Sequence, residues 1–295
     1  MLRIGGKIEM FTLKVENTRG AVLELTNNEE NYQVTDISGL NPPNANINTS
    51  NYANGDGSSF NSSRIPNREV VITVYINGDI QKNRLTLYKF FRNKEWCKIY
   101  YKDDYRDVFV EGYVQTLDVT PFVQKQVAQI SILCPDPYLK DIETIVQSIS
   151  KVIKRFTFPF SINIDKPIPF SSFELEKVTN VINDSESKTG LIIDVKFMGT
   201  INKLEIRNVD NGENFIVDYE FHKNDKLVIN CNRGSKSIIL TRDAVEYNLI
   251  PYVRSGSTFF QLGIGDNNFS FLADDGNDDI LVDIHFNYYK VYLGV

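Results

Sequence analysis

Apolar and polar residues alternate with a period of two over much of this chain, which predicts β-strands. The clearest run is Glu69 to Ile76, where Val70, Ile72, Val74 and Ile76 fall on one face, the pattern of a half-buried strand. Shorter runs follow the same rule at Phe11 to Val15, Val22 to Leu25, Trp96 to Tyr101 and Val108 to Leu117. In Gln126 to Cys134 the alternation puts Ala128, Ile130, Ile132 and Cys134 inward and Gln129 and Ser131 outward. Asn77-Gly78-Asp79 supplies turn chemistry. Beyond it, Leu87, Tyr88 and Phe91 recur at the spacing of a helical turn, which predicts one helix over Lys82 to Arg92. Lys102-Asp-Asp-Tyr-Arg106 predicts a hairpin loop.

The alternation stops at Cys134-Pro-Asp-Pro-Tyr138. Pro135 and Pro137 donate no ladder hydrogen bonds and push their predecessors toward extended or turn conformations, so the sheet cannot run through them. With 295 residues, two domains are expected, and this proline pair divides the chain into 1–140 and 141–295.

Beyond it, Ile142 to Phe160 reads as a short helical stretch giving way to aromatic and proline-rich sequence. Strands are then predicted at Leu191 to Phe197, Lys203 to Arg207, Asn214 to Tyr219, Lys226 to Cys231, Ser237 to Leu240, Phe259 to Leu262 and Ile280 to Tyr288. Turn signals such as Asn211-Gly212 and Arg233-Gly234 separate them. Seven short strands at this spacing suggest an antiparallel β-sandwich. The expected fold class is therefore mainly β in both halves, with one helix in the first.

One segment breaks the strand pattern. Ser38 to Asn67 is rich in Asn, Ser, Gly and Pro and holds few residues able to fill a core. It reads either as an insertion without fixed structure or as an arm that orders against a partner, since long loops in compact domains are functional or disordered.

Composition narrows the function. At 42% hydrophobic and 12% aromatic residues, the chain can bury real cores. Its 32 basic and 38 acidic residues give a net charge of −6, which offers no general attraction to nucleic acid or anionic membrane. The small cationic run Lys151 to Arg155 reads as a solvated face. Cys97, Cys134 and Cys231 share no metal-ligand or redox spacing and read as reduced, buried thiols. No window approaches the ~20 apolar residues of a membrane span, and Met1 to Glu9 lacks the apolar stretch of a secretory signal.

Candidate chemistry is sparse. Only His222 and His285 are present, which leaves few ways to build a nucleophile with a histidine base, and no phosphate-binding or dinucleotide fingerprint occurs. Gly263-Ile-Gly-Asp266 reads as a turn. Asp274 to Asp279 could collect oxygen ligands for Ca²⁺, but it lacks the closing glutamate of a calcium-binding loop, and a solvated hairpin tip is the expected reading. Tyr247, Tyr252, Phe259 and Phe260 could stack on sugar rings or fill the core. No catalytic residue, metal ligand or cofactor site is assigned.

Several features in order resemble the distal tail proteins of long-tailed bacteriophages. They are Asn41-Pro-Pro, Gly55-Asp-Gly-Ser, Arg64, Arg68-Glu-Val-Val-Ile-Thr-Val, the helix, and Cys134-Pro-Asp-Pro-Tyr138. In the second half, Asp210-Asn-Gly-Glu-Asn, Asp225-Lys-Leu-Val-Ile-Asn, Phe259-Phe-Gln-Leu and Gly265-Asp-Asn are similar to that family's carboxy-terminal sandwich. One departure is Ile264, where the family often has proline before the glycine.

The resemblance implies a non-enzymatic structural protein with a β-barrel-like ring-forming amino-terminal domain and a galectin-like outer domain. It also implies a homo-hexameric ring at the virion tail tip, built from chains made in the bacterial host cytoplasm. The ring's partners would be the tail tube protein, the tail-tip hub protein and receptor-binding or other baseplate proteins. Tape-measure protein and DNA would only pass through its channel, and no membrane or cofactor is involved. Interaction residues on this reading are Asn41, Pro42, Pro43, Asp56, Arg64, Asp136 and Tyr138. The alternative is a carbohydrate-binding module for adhesion to the host cell surface.

Overall fold

The computed structural model describes residues 11–26, 30–148, 178–273 and 282–295. Its contacts divide the chain into two units, Met1–Ile142 with Val291–Val295, and Glu143–Lys290. The last five residues thus fall with the first unit, outside the 141–295 span drawn from sequence.

In the first unit the strands are β1 (Thr12–Asn17), β2 (Val22–Glu24), β3 (Tyr32–Ser38), β4 (Asn46–Asn51), β5 (Ser58–Arg64), β6 (Arg68–Ile76), β7 (Trp96–Lys102), β8 (Asp107–Val119), β9 (Gln126–Cys134) and the start of β10 (Leu139–Ser148), whose residues from Glu143 on belong to the second unit, and the helix α1 (Ile80–Phe90) follows β6. Seven of them form an antiparallel sheet in the order β2-β1-β7-β8-β9-β6-β3, and the start of β10 adds to β8.

The alternation that predicts β6 and β9 also builds the core. Val70, Ile72, Val74, Ala128, Ile130 and Ile132 are all fully buried in one cluster with Leu13, Val15 and Ile99. Asp79 caps α1 by accepting from the Lys82 N–H at 3.1 Å, which satisfies a donor that the first helical turn leaves orphaned. Where β8 passes β9, a Cβ on Gly112 would stand 2.7 Å from the Leu133 carbonyl oxygen, so only glycine permits that approach.

One reading is corrected. Ile142–Ser148 is strand, the end of β10, and not the start of a helix. The β-branched residues Ile142, Thr144, Ile145 and Val146 favour the strand, although their apolar members also recur at helical spacing; residues 149–160 lie outside the described residues. Ser131 lies on the face opposite the core, as the alternation predicts, but is covered there. It is buried and its hydroxyl donates to the Glu69 carboxylate at 2.6 Å.

The second unit is a sandwich of two antiparallel sheets. One runs β18-β17-β16-β13-β21 and the other β11-β20-β14-β15. Here β11 is Thr179–Asn183, β12 Thr189–Gly190, β13 Ile192–Phe197, β14 Leu204–Asn208, β15 Asn214–Val217, β16 Lys226–Asn230, β17 Ser237–Arg242, β18 Val245–Asn248, β19 Gln261–Leu262, β20 Gly265–Ala273 and β21 Val282–Tyr292. β12 and β19 pair separately. Val282, Ile284, Phe286 and Tyr288 on β21 point into the core, as their alternation predicts. Phe197 and Phe221 stack at 4.2 Å between centroids within it.

Asp225, almost wholly buried, holds the turn before β16. It accepts from Arg242 Nε at 2.9 Å and from the His222 N–H at 2.8 Å. Burial opposes the charged carboxylate, but Arg242 and the His222 N–H outweigh it and leave Asp225 below the usual carboxylate range. Such a group stabilises the fold fully above its unfolded pKa of about 3.9, and that contribution disappears as pH falls through the lower folded value. Asp225→Asn is therefore expected to cost about 1–3 kcal/mol at pH 7 and nothing at a pH below the folded value, as read by urea unfolding at both pH values.

Cys97, Cys134 and Cys231 are buried and free. Burial pushes each thiol up to about 12, which keeps them protonated and unreactive in the native state.

Candidate functional site

The polar segment between β3 and β6 is an ordered hairpin. β4 and β5 pair antiparallel from Asn46 opposite Arg64 to Asn51 opposite Ser58, with one irregularity between Asn48 and Thr49. Among the described residues they form a sheet of their own with no third strand. Every residue of β4 is exposed.

A two-stranded ribbon of Asn and Ser with no core is marginal in water by itself. Its few apolar side chains face solvent: Ile47 is 64% and Phe60 65% exposed, and Tyr52 stands at the tip. Strand alternation puts Ile47 and Thr49 on one face, and Phe60 sits opposite Thr49, so the two large side chains share that face. The ribbon is an arm with an uncovered apolar face and two unpaired edges, which is what pairing with another chain requires.

The root of the arm is fixed where the flexible composition of this segment gives no hint of it. Arg68, the first residue of β6, is only 3% exposed. Its Nε donates to the Pro137 carbonyl at 2.5 Å, Nη1 to Asn41 at 2.9 Å and also to Gly39, and Nη2 to Leu293 at 2.6 Å. One guanidinium thereby ties together the start of the arm, the proline turn after β9 and the carboxy-terminal segment. Burial lowers its pKa, with Asp136 among the groups that partly offset this, and arginine stays charged at any physiological pH.

Gly39 and Gly294 make the close contacts possible. Gly39 has φ +87° and a Cβ there would collide with the Glu69 carbonyl; on Gly294 a Cβ would meet Pro42 Cδ at 2.7 Å. The Val295 N–H completes the join by donating to the Leu40 carbonyl at 3.2 Å.

The seven residues singled out from sequence fall in three places. Asn41, Pro42 and Pro43 lie at the root, where Asn41 bonds Arg68 and Pro42 touches Gly294. Asp56 is exposed at the tip, and Arg64 ends β5. Asp136 and Tyr138 sit in the proline turn: Asp136 accepts from the Tyr138 N–H at 3.3 Å and pairs with Lys140 at 3.0 Å. Arg68 joins the first and third groups; Asp56 stands apart from both. The sequence reading missed Ile47, Phe60 and Arg68, although isolated apolar residues in an Asn and Ser tract are a usable signal.

Two other hairpin tips of the first unit expose aromatic rings. Tyr105, between β7 and β8, is 93% exposed, and Phe122, between β8 and β9, is 98% exposed. Among the described residues no cluster of three or more metal-ligating side chains occurs, and no helix is long and apolar enough to cross a membrane. The acidic run Asp274 to Asp279 and the basic run Lys151 to Arg155 lie outside the described residues.

Fold and surface together define a two-unit, mainly β protein whose first unit exposes apolar groups on an arm and on hairpin tips. Residues 184–289 match the family described as siphovirus-type tail component, C-terminal domain. The fold is similar to that of the SPP1 Dit protein, described as a paradigm of the hub adsorption apparatus in phages infecting Gram-positive hosts. That likeness has a TM-score of 0.67 at 14% identity over 95% of this chain and 98% of the other. It is also similar to chains of the phage P2 baseplate in its activated conformation, with calcium (TM-score 0.53) and with strontium (TM-score 0.54), each at 11% identity over 94% of this chain and 98% of the other. No curated protein sequence matches. The resemblance to distal tail proteins read from the sequence is thereby borne out.

Proposed function

We propose that this chain forms a closed homo-hexameric ring at the tip of a siphophage tail, joining the tail tube protein to the tail-tip hub and to receptor-binding or other baseplate proteins. The first domain, 1–140, forms the ring; the second, 141–295, projects as a galectin-like sandwich. Tape-measure protein and DNA pass through the channel. The chain is made in the host cytoplasm and ends in the virion.

The observation that carries this reading is the β4–β5 arm. An uncovered ribbon with an apolar face gains stability only when another surface covers it, and head-to-tail contacts between identical chains either close into rings or polymerise. Light scattering of the purified chain with negative-stain imaging tests it. Six-fold rings are expected, from the chain alone or on mixing with tail tube protein. A particle that stays monomeric in both conditions overturns the ring.

A further inference from the structure

Four aromatic residues of the second unit are candidates for stacking on a sugar, and the structure separates them. Phe260 is fully buried in the core. Tyr247 and Tyr252 are exposed on β18 and the turn after it, away from the groove that Phe259 borders. That groove encloses about 350 Å³, near the low end of small-ligand sites at about 300–1,000 Å³.

The walls of the groove are fixed by two buried asparagines and a packed ring. Buried Asn208 accepts from the N–H groups of Asp210 and Asn211, which shapes the β14–β15 turn. Buried Asn267 donates to the carbonyls of Val181, Gly263 and Gly265 and accepts from the Gly263 N–H. Phe259 is held edge-on to Phe215 at 5.0 Å, and Lys236 Nζ lies over one side of its ring, 5.0 Å from the centroid. A preorganised frame of this kind loses little entropy on binding.

Lining this frame are Lys188, Glu213 and Arg233, whose side chains make no hydrogen bond or ion pair among the described residues. Asp210 and Asp266 also line it. The groove thus carries three carboxylates and two cations, a balance that gives a polyanion no net attraction. Its charged lining disfavours a purely apolar ligand. Closely spaced charged acceptors and donors beside one aromatic ring match a ligand rich in hydroxyls that both donate and accept, with an apolar ring face.

We propose that this groove binds a neutral saccharide unit, with Glu213 and Arg233 bonding its hydroxyls and Phe259 against its ring. The site is independent of the arm and of ring formation.

A glycan array probed with the full chain, followed by titration of the best neutral oligosaccharide, tests this. Saturable binding tighter than about 5 mM is expected. Glu213→Ala and Arg233→Ala should each weaken it by about tenfold or more, since a charged hydrogen bond contributes about 1.5–3 kcal/mol. Tyr247→Ser should bind like the parent. The proposal is overturned if no neutral glycan binds, if only acidic glycans bind, or if the two groove variants titrate like the parent. None of these outcomes bears on whether rings form.

Discussion

Replacing Arg68 with methionine is expected to lower the stability of the first unit by about 3–5 kcal/mol, the loss seen when a buried charged group is taken from its partners. The variant leaves the carbonyls of Gly39, Asn41, Pro137 and Leu293 without their shared donor. All four of those carbonyls lie outside the strands, so the arm root and the proline turn lose their common fixing point together. Lysine should rescue little, because its compact ammonium cannot spread donors over four acceptors as a planar guanidinium does. The measurement is urea unfolding of parent and variants, following Trp96 fluorescence; it lies on β7 in the first unit. A loss under about 1 kcal/mol would mean that water replaces the guanidinium at little cost, and the view of Arg68 as the tie of the arm root would fail. The transition of the second unit should stay in place, since all of the partners of Arg68 lie in the first.

The second large effect is expected from Ile47→Asp combined with Phe60→Asp. Both side chains are exposed and neither belongs to the core cluster, so the folded monomer should keep its stability. Covering them in an assembly would contribute about 1.5–3 kcal/mol each, or about 3–6 kcal/mol per subunit contact, which is about two to four orders of magnitude in the association constant. Placing carboxylates there instead adds a desolvation cost. Rings should therefore be lost, with free chains remaining by light scattering. Rings that persist at micromolar concentration would remove the arm from the interface and leave the Tyr105 and Phe122 tips as the next surfaces to change.

How far the sequence could be read depended on burial. β6 and β9 were legible almost to the residue because one face of each is core and the other is not, so hydrophobicity records the period. The arm was not legible as structure. Its strands are exposed on both faces, so no burial pattern marks them, and their Asn, Ser and Gly content is also that of a loop. β10 misled for the opposite reason: Ile142, Ile145 and Val146 satisfy a helical spacing and a strand composition at once, and only pairing decides between them. Among the aromatics, Phe259 and Phe260 are adjacent, yet one borders a groove and the other is core. The Arg68 tie was invisible for a different reason again, because its contact with Leu293 spans 225 residues and no local pattern reports a partner at that distance.

That separation bears on how the protein is made. Translation delivers the arm and Arg68 early, and at about 5–20 residues per second the segment holding Leu293 follows roughly 10–45 s later. Throughout that interval the nascent chain displays an arm whose root still lacks one of its ties. Until residues 291–295 are available the Leu293 carbonyl cannot accept from Arg68, so a product truncated before Val291 is expected to hold its arm root less firmly than the full sequence does.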